Sequence, residues 1–144
     1  MRIGIASDHR GFLLKKSLIE KLQKKYDVID YGCNSSDSVD YPDYAFHLGE
    51  SVIKDHLNFG IAICGSGIGI SIACNKVKGI RAARVLSLED VYETRNDNDA
   101  NIICLSAKMK EDEAIKLVEA FVTTPFSNEE RHQRRINKIS KYEE

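Results

Sequence analysis

Six consecutive residues, Cys64-Gly65-Ser66-Gly67-Ile68-Gly69, combine a thiol, a hydroxyl group and three glycines. They follow the apolar run 59–63 and precede Ile70-Ser71-Ile72-Ala73, the pattern of a strand that passes into a helix. Glycine lets backbone N–H groups approach an anion without a Cβ in the way, and a helix N-terminus adds partial positive charge. That charge also favours the thiolate form of a cysteine. The turn is a candidate site for an anion or oxyanion, although a buried cysteine at a strand end explains it equally well when it is considered alone.

A second polar group follows the apolar run at the N-terminus. The segment Ser7-Asp8-His9-Arg10-Gly11 places a carboxylate, an imidazole and a cation in front of a predicted helix. Considered alone, Asp8 is better explained as a helix cap and His9 as a surface residue, because Asp is strongly preferred at N-caps. Open parallel sheets, however, bind ligands at the carboxyl ends of their strands. We therefore expect Asp8 and His9 to lie beside Cys64 at one edge of a sheet.

Two polar segments lie in the second half of the chain. Residues 95–101 are rich in turn-forming residues and predict a loop. Arg131 and Arg135 are spaced i and i+4 on a predicted helix, so their two guanidinium groups can hold a phosphate. A solvated charged face is the ordinary explanation of a helix this polar.

The order of elements predicts how these segments are arranged. Short β-rich runs alternate with segments of helical periodicity, which indicates a parallel sheet covered by helices on both faces. The first helix carries Leu14, Leu18 and Leu22 on one stripe, with its lysines mostly away from that stripe. The second begins near Tyr41-Pro42, and Ser87 with Asp90 predicts the cap of another. The predicted strands are Arg2 to Ala6, Tyr26 to Tyr31, Phe59 to Ile63, Ile80 to Arg84 and Ile102 to Leu105, and a further helix spans Glu111 to Val122.

The last segment, residues 128–142, is a charged helix after Thr124-Pro125. Ile136 and Ile139 are its few apolar residues, too few to stabilise it by burial within the domain alone. We expect this helix, about 128–142, to pack on a partner subunit, and the whole chain, 1–144, to form one domain.

Composition excludes several classes of protein. The chain has 21 basic and 22 acidic residues and a formal charge of −1, so it has no electrostatic footprint for nucleic acid or for an anionic membrane surface. No apolar stretch is long enough for a membrane span and no signal peptide is present, which predicts a cytoplasmic protein. The four cysteines form no C-x-x-C pair and are expected to be free thiols rather than disulfides or metal ligands.

The combination of motifs resembles the ribose-5-phosphate isomerase B family, which groups with galactose-6-phosphate and allose-6-phosphate isomerases. The resemblance covers nearly the whole chain, in the order and at the spacing of the family. It implies a Rossmann-like α/β/α three-layer sandwich with a five-stranded parallel sheet and an extra C-terminal helix. The motifs are Asp8-His9, Asp40-Tyr41-Pro42, the Cys64 to Ser71 segment, Asn75-Lys76, Gly79-Ile80-Arg81-Ala82, Asn98-Asp99-Ala100-Asn101 and Arg131-His132-Gln133.

The resemblance also implies an activity, the interconversion of ribose 5-phosphate and ribulose 5-phosphate in the pentose phosphate pathway. The reaction passes through a cis-enediolate and uses no cofactor and no metal. The family works as a homodimer, or as a dimer of such dimers, in which each site is completed by the neighbouring subunit.

Site residues carry over by position. Cys64 takes the place of the base, while Ser66 and the backbone of Gly65, Gly67, Ile68 and Gly69 hold the enediolate oxygen. Asp8 is assigned to sugar hydroxyls and as a proton relay, and His9 to the phosphate end. The other substrate-binding positions are Tyr41, which lines the sugar pocket, Asn98 from the partner, Lys108, and the phosphate-binding Arg131 and Arg135.

Two positions depart from the family pattern. Asp97 stands where ribose-specific members carry the histidine that opens the furanose ring. An aspartate replaces that histidine as an acid only if its carboxyl group holds a proton, so the substitution also fits a six-carbon sugar phosphate or an open-chain substrate. Lys108 stands where an arginine is more common, and lysine keeps the charge but loses bidentate geometry. A sugar-phosphate-binding protein without catalysis is the remaining alternative.

Overall fold

A five-stranded, wholly parallel sheet forms the centre of the computed structural model, which describes residues 1–144. Its strand order is β2-β1-β3-β5-β4, so β3 is the central strand and β2 and β4 are the edge strands. The strands are β1 (Arg2–Ser7), β2 (Asp27–Asp30), β3 (Phe59–Cys64), β4 (Ala82–Arg84) and β5 (Ile102–Ser106). The helices are α1 (Phe12–Leu22), α2 (Tyr41–Lys54), α3 (Ile68–Cys74), α4 (Leu88–Asn96), α5 (Glu111–Thr123) and α6 (Glu130–Tyr142).

Alternation along the strands sends side chains to two separate cores. In β3, Ile61 and Ile63 belong to the core beneath α1, α4 and α5, whereas Ala62 and Cys64 belong to the core beneath α2 and α3. All of these side chains are buried, as expected for a parallel sheet covered on both faces. The three-layer α/β/α sandwich predicted from the order of elements is therefore confirmed.

The helix signals in the sequence correspond to contacts in the structure. Ser87 Oγ accepts the N–H of Asp90 at 3.2 Å, and Asp90 Oδ2 in turn accepts the N–H of Leu86 at 2.9 Å, so this pair caps α4 as predicted. Pro42 lies in the first turn of α2, where its missing N–H has no helical partner to lose.

Lys15 is wrongly predicted to lie away from the buried stripe of α1. Its side chain is 1% exposed, and its Nζ lies 2.8 Å from both carboxylate oxygens of Asp30. The pair joins α1 to the end of β2, because a buried ammonium group needs a carboxylate partner. The lysine stem packs like an apolar side chain while its charge remains paired.

Helix α6 lies outside the sandwich, along the edge where the strands begin. Ser127 N–H donates to Asn96 O at 3.1 Å before the helix, and Glu143 accepts the N–H of Gly79 at 3.2 Å after it. His132 and Ile136 are buried, but 49% of Ile139 remains exposed. None of the helices combines the length and the apolar surface that a membrane crossing requires.

Candidate active site

The Cys64 turn lies at the carboxyl edge of the sheet, directly after β3. Gly67 has a φ of +78°, in the left-handed region that favours glycine, and a Cβ there would lie 3.0 Å from the backbone carbon of Leu105. This conformation lets the Gly67 N–H donate to Cys64 Sγ at 3.2 Å. An N–H group aimed at sulfur stabilises negative charge on it, so the turn is suited to a thiolate.

Three successive carbonyl groups of the turn are held from the neighbouring strands. The carbonyl of Cys64 accepts the N–H of Ala107 at 2.9 Å, and that of Gly65 accepts Ser106 Oγ at 2.8 Å. The carbonyl of Ser66 accepts Arg84 Nε at 3.0 Å. With their carbonyls fixed in this way, Gly65 and Ser66 keep backbone N–H groups that have no partner within the chain.

Two other donors of the turn are already engaged. Ile68 N–H donates to Ser66 Oγ at 3.1 Å, as Gly67 N–H does to the sulfur of Cys64. The unpartnered N–H groups of Gly65 and Ser66, and that of Gly69, which has no partner within the chain either, are available to an oxygen that develops charge next to Cys64.

Asp8 and His9 lie directly beside this turn, as expected. The N–H of Asp8 donates to the carbonyl of Ile63 at 3.1 Å, which sets it next to the end of β3. Asp8 is buried, and its Oδ1 accepts the N–H groups of Arg10 and Gly11 at 2.9 and 3.1 Å. Its other oxygen accepts no bond within the chain. Asp8 therefore closes the turn that leads into α1, whose N-cap is Gly11, and still presents a free acceptor at the edge.

The tautomer of His9 follows from its single hydrogen bond. Its Nδ1 accepts the N–H of Val39 at 3.2 Å. A neutral imidazole that accepts at Nδ1 carries its proton on Nε2, so the free ring nitrogen is a donor. Such a donor suits a phosphate or hydroxyl oxygen.

Tyr41 and Lys108 complete the carboxyl edge. Tyr41 begins α2, and a Cβ on Gly69 would lie 2.6 Å from its Cζ, so the phenol ring packs directly on Gly69. Lys108 follows β5, with its N–H on Ser106 Oγ at 3.1 Å and its side chain exposed.

The four cysteines are all free thiols, as predicted, and they differ in their surroundings. A hydrogen bond with the Cys74 thiol, followed by burial, raises the pKa of Cys104 well above its ordinary value, so that thiol stays protonated. Cys64 is the cysteine whose sulfur accepts a backbone N–H. No three side chains of metal-ligating type converge in the structure.

Comparison with known proteins identifies the family. The model of the ribose/galactose isomerase family matches residues 3–139. The chain belongs to the ribose/galactose isomerase family.

Solved and curated members of the family align over nearly the full chain. The ribose-5-phosphate isomerase B of Mycoplasma genitalium, solved with bound ribulose 5-phosphate, is 44% identical with a TM-score of 0.92, and the match covers 99% of this chain and 95% of that one. The Clostridium thermocellum enzyme is 42% identical with a TM-score of 0.95, covering 99% and 97%. The ribose-5-phosphate isomerase B of Mycolicibacterium paratuberculosis is 40% identical over 99% of this chain and 92% of its own.

This ribose/galactose isomerase keeps its remaining candidate residues at the opposite edge of the sheet. Asn101 O accepts the N–H of Gly60 at 2.8 Å, which puts the end of the 95–101 loop level with the start of β3. Gly60 pairs with Ile102, and Cys64, four residues on, pairs with Ser106, a separation of about 13 Å along the strand. Within one chain, Asp97 and Asn98 therefore do not meet Cys64.

Arg131 and Arg135 share this amino edge. His132, next to Arg131, has its Nε2 3.7 Å from Asp97 Oδ1, so the start of α6 packs on the end of α4. Arg131 is paired with Glu129 at 2.9 Å, and Arg135 is exposed. A groove of about 700 Å³ runs between α6 and this edge, and Asn98 is among its lining residues. One chain thus carries two groups of candidate residues, one at the carboxyl edge of the sheet and one at the amino edge.

Asp97 contacts an amide group and an imidazole ring. Its Oδ1 accepts Asn96 Nδ2 at 2.8 Å and lies 3.7 Å from Nε2 of the His132 ring.

Ser106 and Arg84 both hold the turn, and neither was predicted from the sequence to have a role. Both stand at the end of a predicted strand or directly after one, and that position was a usable signal. Nothing in the local sequence, however, indicates that Ser106 bonds Gly65 or that Arg84 bonds Ser66, because these contacts join strands distant in the chain.

Proposed function

We propose that this protein interconverts ribose 5-phosphate and ribulose 5-phosphate, with Cys64 as the base. The observation that carries the proposal is the Cys64 turn, in which the sulfur accepts the Gly67 N–H at 3.2 Å beside two unpartnered N–H groups. A base next to free donors is what proton abstraction α to a carbonyl requires. Family membership and the names of its relatives support the same activity.

The reaction follows from this arrangement. The Cys64 thiolate removes the proton on C2 of the open-chain aldose, the electron pair forms a C1–C2 double bond, and negative charge passes to O1. The N–H groups of Gly65 and Ser66, with the Ser66 hydroxyl, stabilise that oxygen. The thiol then returns the proton to C1, while the hydroxyl proton leaves O2 to give the ketose.

Asp8 and His9 handle the oxygens of the sugar phosphate. The free oxygen of Asp8 accepts the hydroxyl proton that moves between O2 and O1, because its other oxygen is held by two N–H groups. His9 donates from Nε2 to the phosphate end, Lys108 adds charge there, and Tyr41 bounds the sugar on the Gly69 side.

We further propose that the working enzyme is a homodimer with sites shared between subunits. Asn98, Arg131 and Arg135 lie at the amino edge, about 13 Å along the strands from the level of Cys64, so their own chain does not bring them to the thiol. A second copy that places its amino edge over the first copy's carboxyl edge completes two sites at once. We also place the reaction in the cytoplasm, because a charged sugar phosphate does not cross a lipid bilayer freely.

A six-carbon sugar phosphate is the second candidate substrate, and Asp97 is the observation that favours it. The carboxylate of Asp97 accepts a hydrogen bond from Asn96, whereas opening a furanose ring needs a proton donor. Allose 6-phosphate or galactose 6-phosphate places different hydroxyl groups near such an acceptor.

Turnover of purified protein tests the proposal. We expect conversion of ribose 5-phosphate in the presence of a chelator, lost at least a thousandfold in Cys64→Ala and retained in the control Cys74→Ala, which removes a buried thiol at the other end of α3. A large preference for allose 6-phosphate over ribose 5-phosphate would overturn the pentose assignment. Wild-type activity in Cys64→Ala would overturn the mechanism.

A further inference from the structure

Arg10 is a cation at the carboxyl edge to which the mechanism above gives no role. It follows Asp8 and His9, and its backbone N–H donates to Asp8 Oδ1 at 2.9 Å. Its side chain is exposed, and its guanidinium forms no hydrogen bond or ion pair within its own chain. The other arginine close to the turn, Arg84, uses Nε to hold a carbonyl. Of these two arginines beside the turn, only Arg10 keeps all of its guanidinium donors free.

The side chain of Arg10 lies against the Cys64 turn. A Cβ on Gly65 would lie 2.7 Å from Arg10 Nη1, 2.9 Å from Cδ and 3.4 Å from Cζ, and these are the three nearest atoms. Gly65 does not adopt the left-handed conformation, so a glycine is required here because of the space that a Cβ would occupy. The space is filled by the guanidinium of Arg10, which therefore rests on the residue directly after Cys64.

This position coincides with the place where charge develops during enolisation. The carbon that loses its proton, C2, must lie against Cys64, and the oxygen that gains charge, O1, is bonded to the adjacent carbon, C1. The substrate phosphate is carried at the far end of the sugar. A guanidinium against Gly65 is thus placed for the reacting end of the sugar.

We propose that Arg10 is a further substrate-contacting residue, whose guanidinium donates to the enediolate oxygen that the Gly65 and Ser66 N–H groups also stabilise. This inference rests on the isomerase function proposed above. The interaction strengthens as charge develops on the oxygen, so Arg10 acts mainly on the transition state and little on ground-state binding. Removing one donor of this kind typically lowers kcat by about 10²–10³-fold. Arg10 is exposed to solvent, so we expect roughly a 10- to 100-fold loss.

Kinetics of Arg10 variants test this role. Arg10→Ala is expected to lower kcat by roughly 10- to 100-fold with KM changed by less than about threefold. Arg10→Lys is expected to recover part of kcat, because lysine keeps the charge but lacks the planar fork. Lys16→Gln, which removes an exposed cation from α1, is the control for net charge and leaves kcat unchanged. An unchanged kcat in Arg10→Ala, or an equal loss in the control, would overturn the proposal.

A double-mutant cycle with Gly65 separates this role from a structural one. Gly65→Ala introduces the Cβ whose nearest neighbours are all atoms of Arg10, so it displaces the guanidinium and lowers kcat in the wild-type background. In the Arg10→Ala background the same change is expected to cost less than about threefold, since nothing remains to be displaced. Losses that multiply independently would show that Arg10 does not act from this position. Unfolding midpoints of all four proteins verify that each is folded.

Ligand affinity identifies the end of the substrate that Arg10 meets. A phosphorylated aldonohydroxamate imitates the charged enediolate, and inorganic phosphate imitates the other end alone. Arg10→Ala is expected to weaken binding of the hydroxamate by about tenfold or more, while the affinity for inorganic phosphate changes by less than about twofold. Equal weakening of both would assign Arg10 to the phosphate and overturn the proposal. Absence of turnover in the wild type would instead reject the isomerase function itself, so the two failures are distinguishable.

Discussion

Ser106 and Ser7 form a matched pair that tests how the Cys64 turn is supported. Both are buried serines at the last position of a parallel strand, in β5 and β1. Ser106 Oγ donates to the Gly65 carbonyl at 2.8 Å and accepts the Lys108 N–H at 3.1 Å. Ser7 Oγ has no hydrogen-bond partner in the structure. Substituting alanine for each therefore removes two hydrogen bonds in one case and none in the other.

The expected magnitudes follow from these partners. Each hydrogen bond contributes about 1 kcal/mol net, and a buried carbonyl left without a partner is more costly, so Ser106→Ala should lower the free energy of unfolding by about 2 kcal/mol. A chain of 144 residues has an unfolding entropy of about 0.3 kcal/mol/K, so the same change lowers Tm by about 7 °C. Ser7→Ala removes an unpartnered buried hydroxyl and should leave stability unchanged or raise it by up to about 1 kcal/mol.

Urea unfolding at one fixed protein concentration measures both effects, and turnover at a temperature where every variant is folded measures the catalytic one. Ser106→Ala frees the Gly65 carbonyl and loosens the turn. Its kcat should fall by about tenfold, because even a small displacement of the reacting groups lowers the rate. Ser7→Ala should keep wild-type kcat. Equal destabilisation by the two substitutions would refute the reasoning, and so would full activity in a stable Ser106→Ala enzyme.

Three further outcomes are expected. Arg131→Ala should raise KM for ribose 5-phosphate by about tenfold, because a charge-assisted phosphate contact is lost, and leave kcat within about threefold; a loss confined to kcat would contradict its role at the phosphate. Asp97→His should raise kcat on ribose 5-phosphate several-fold by supplying an acid for ring opening, and an unchanged kcat would show that position 97 does not limit the reaction. Burial, then the hydrogen bond to Asp55, raises the pKa of Tyr31 above 10.0, so the unfolded state loses this proton first and stability falls as pH rises past 10. Tyr31→Phe should flatten that alkaline decline in urea titrations at a series of pH values, and an unaltered slope would exclude Tyr31 as its source.

The sheet was predictable from the sequence because its strands are short apolar runs separated by amphipathic helices. The predicted boundaries miss the last residue of three strands, Ser7, Cys64 and Ser106, which continue the ladder although they are polar or carry a thiol. Conversely, Ile80 and Arg81 precede β4 instead of belonging to it, because Ile80 N–H closes a turn onto Val77 O. The polarity of a side chain predicts whether the residue is buried. The end of a strand, by contrast, is set by hydrogen bonds to a neighbouring strand, which the local sequence does not reveal.

The site was predictable as a set of residue types and only partly as a geometry. Because ligands bind at the carboxyl ends of parallel strands, Asp8 was correctly predicted to lie next to Cys64. The same rule says nothing about the bonds from Arg84 to Ser66 and from Lys15 to Asp30, which depend on how two distant elements are aligned. Long-range contacts of this kind become visible only in the folded chain.

In the proposed homodimer, the separation of the candidate residues between two ends of one sheet makes protein concentration a variable of catalysis. An enzyme whose thiol and phosphate-binding arginines come from different chains loses specific activity on dilution below its dissociation constant, even while every chain stays folded. When subunits of a variant without the Cys64 thiol are exchanged with subunits of a variant without Arg131, half of the sites in each mixed dimer combine an intact thiol with an intact arginine, and those sites recover both the kcat and the low KM of the unsubstituted protein. In the proposed homodimer, activity is thus a property of a pair of chains, and a substitution at either edge impairs a site that is shared with the neighbouring subunit.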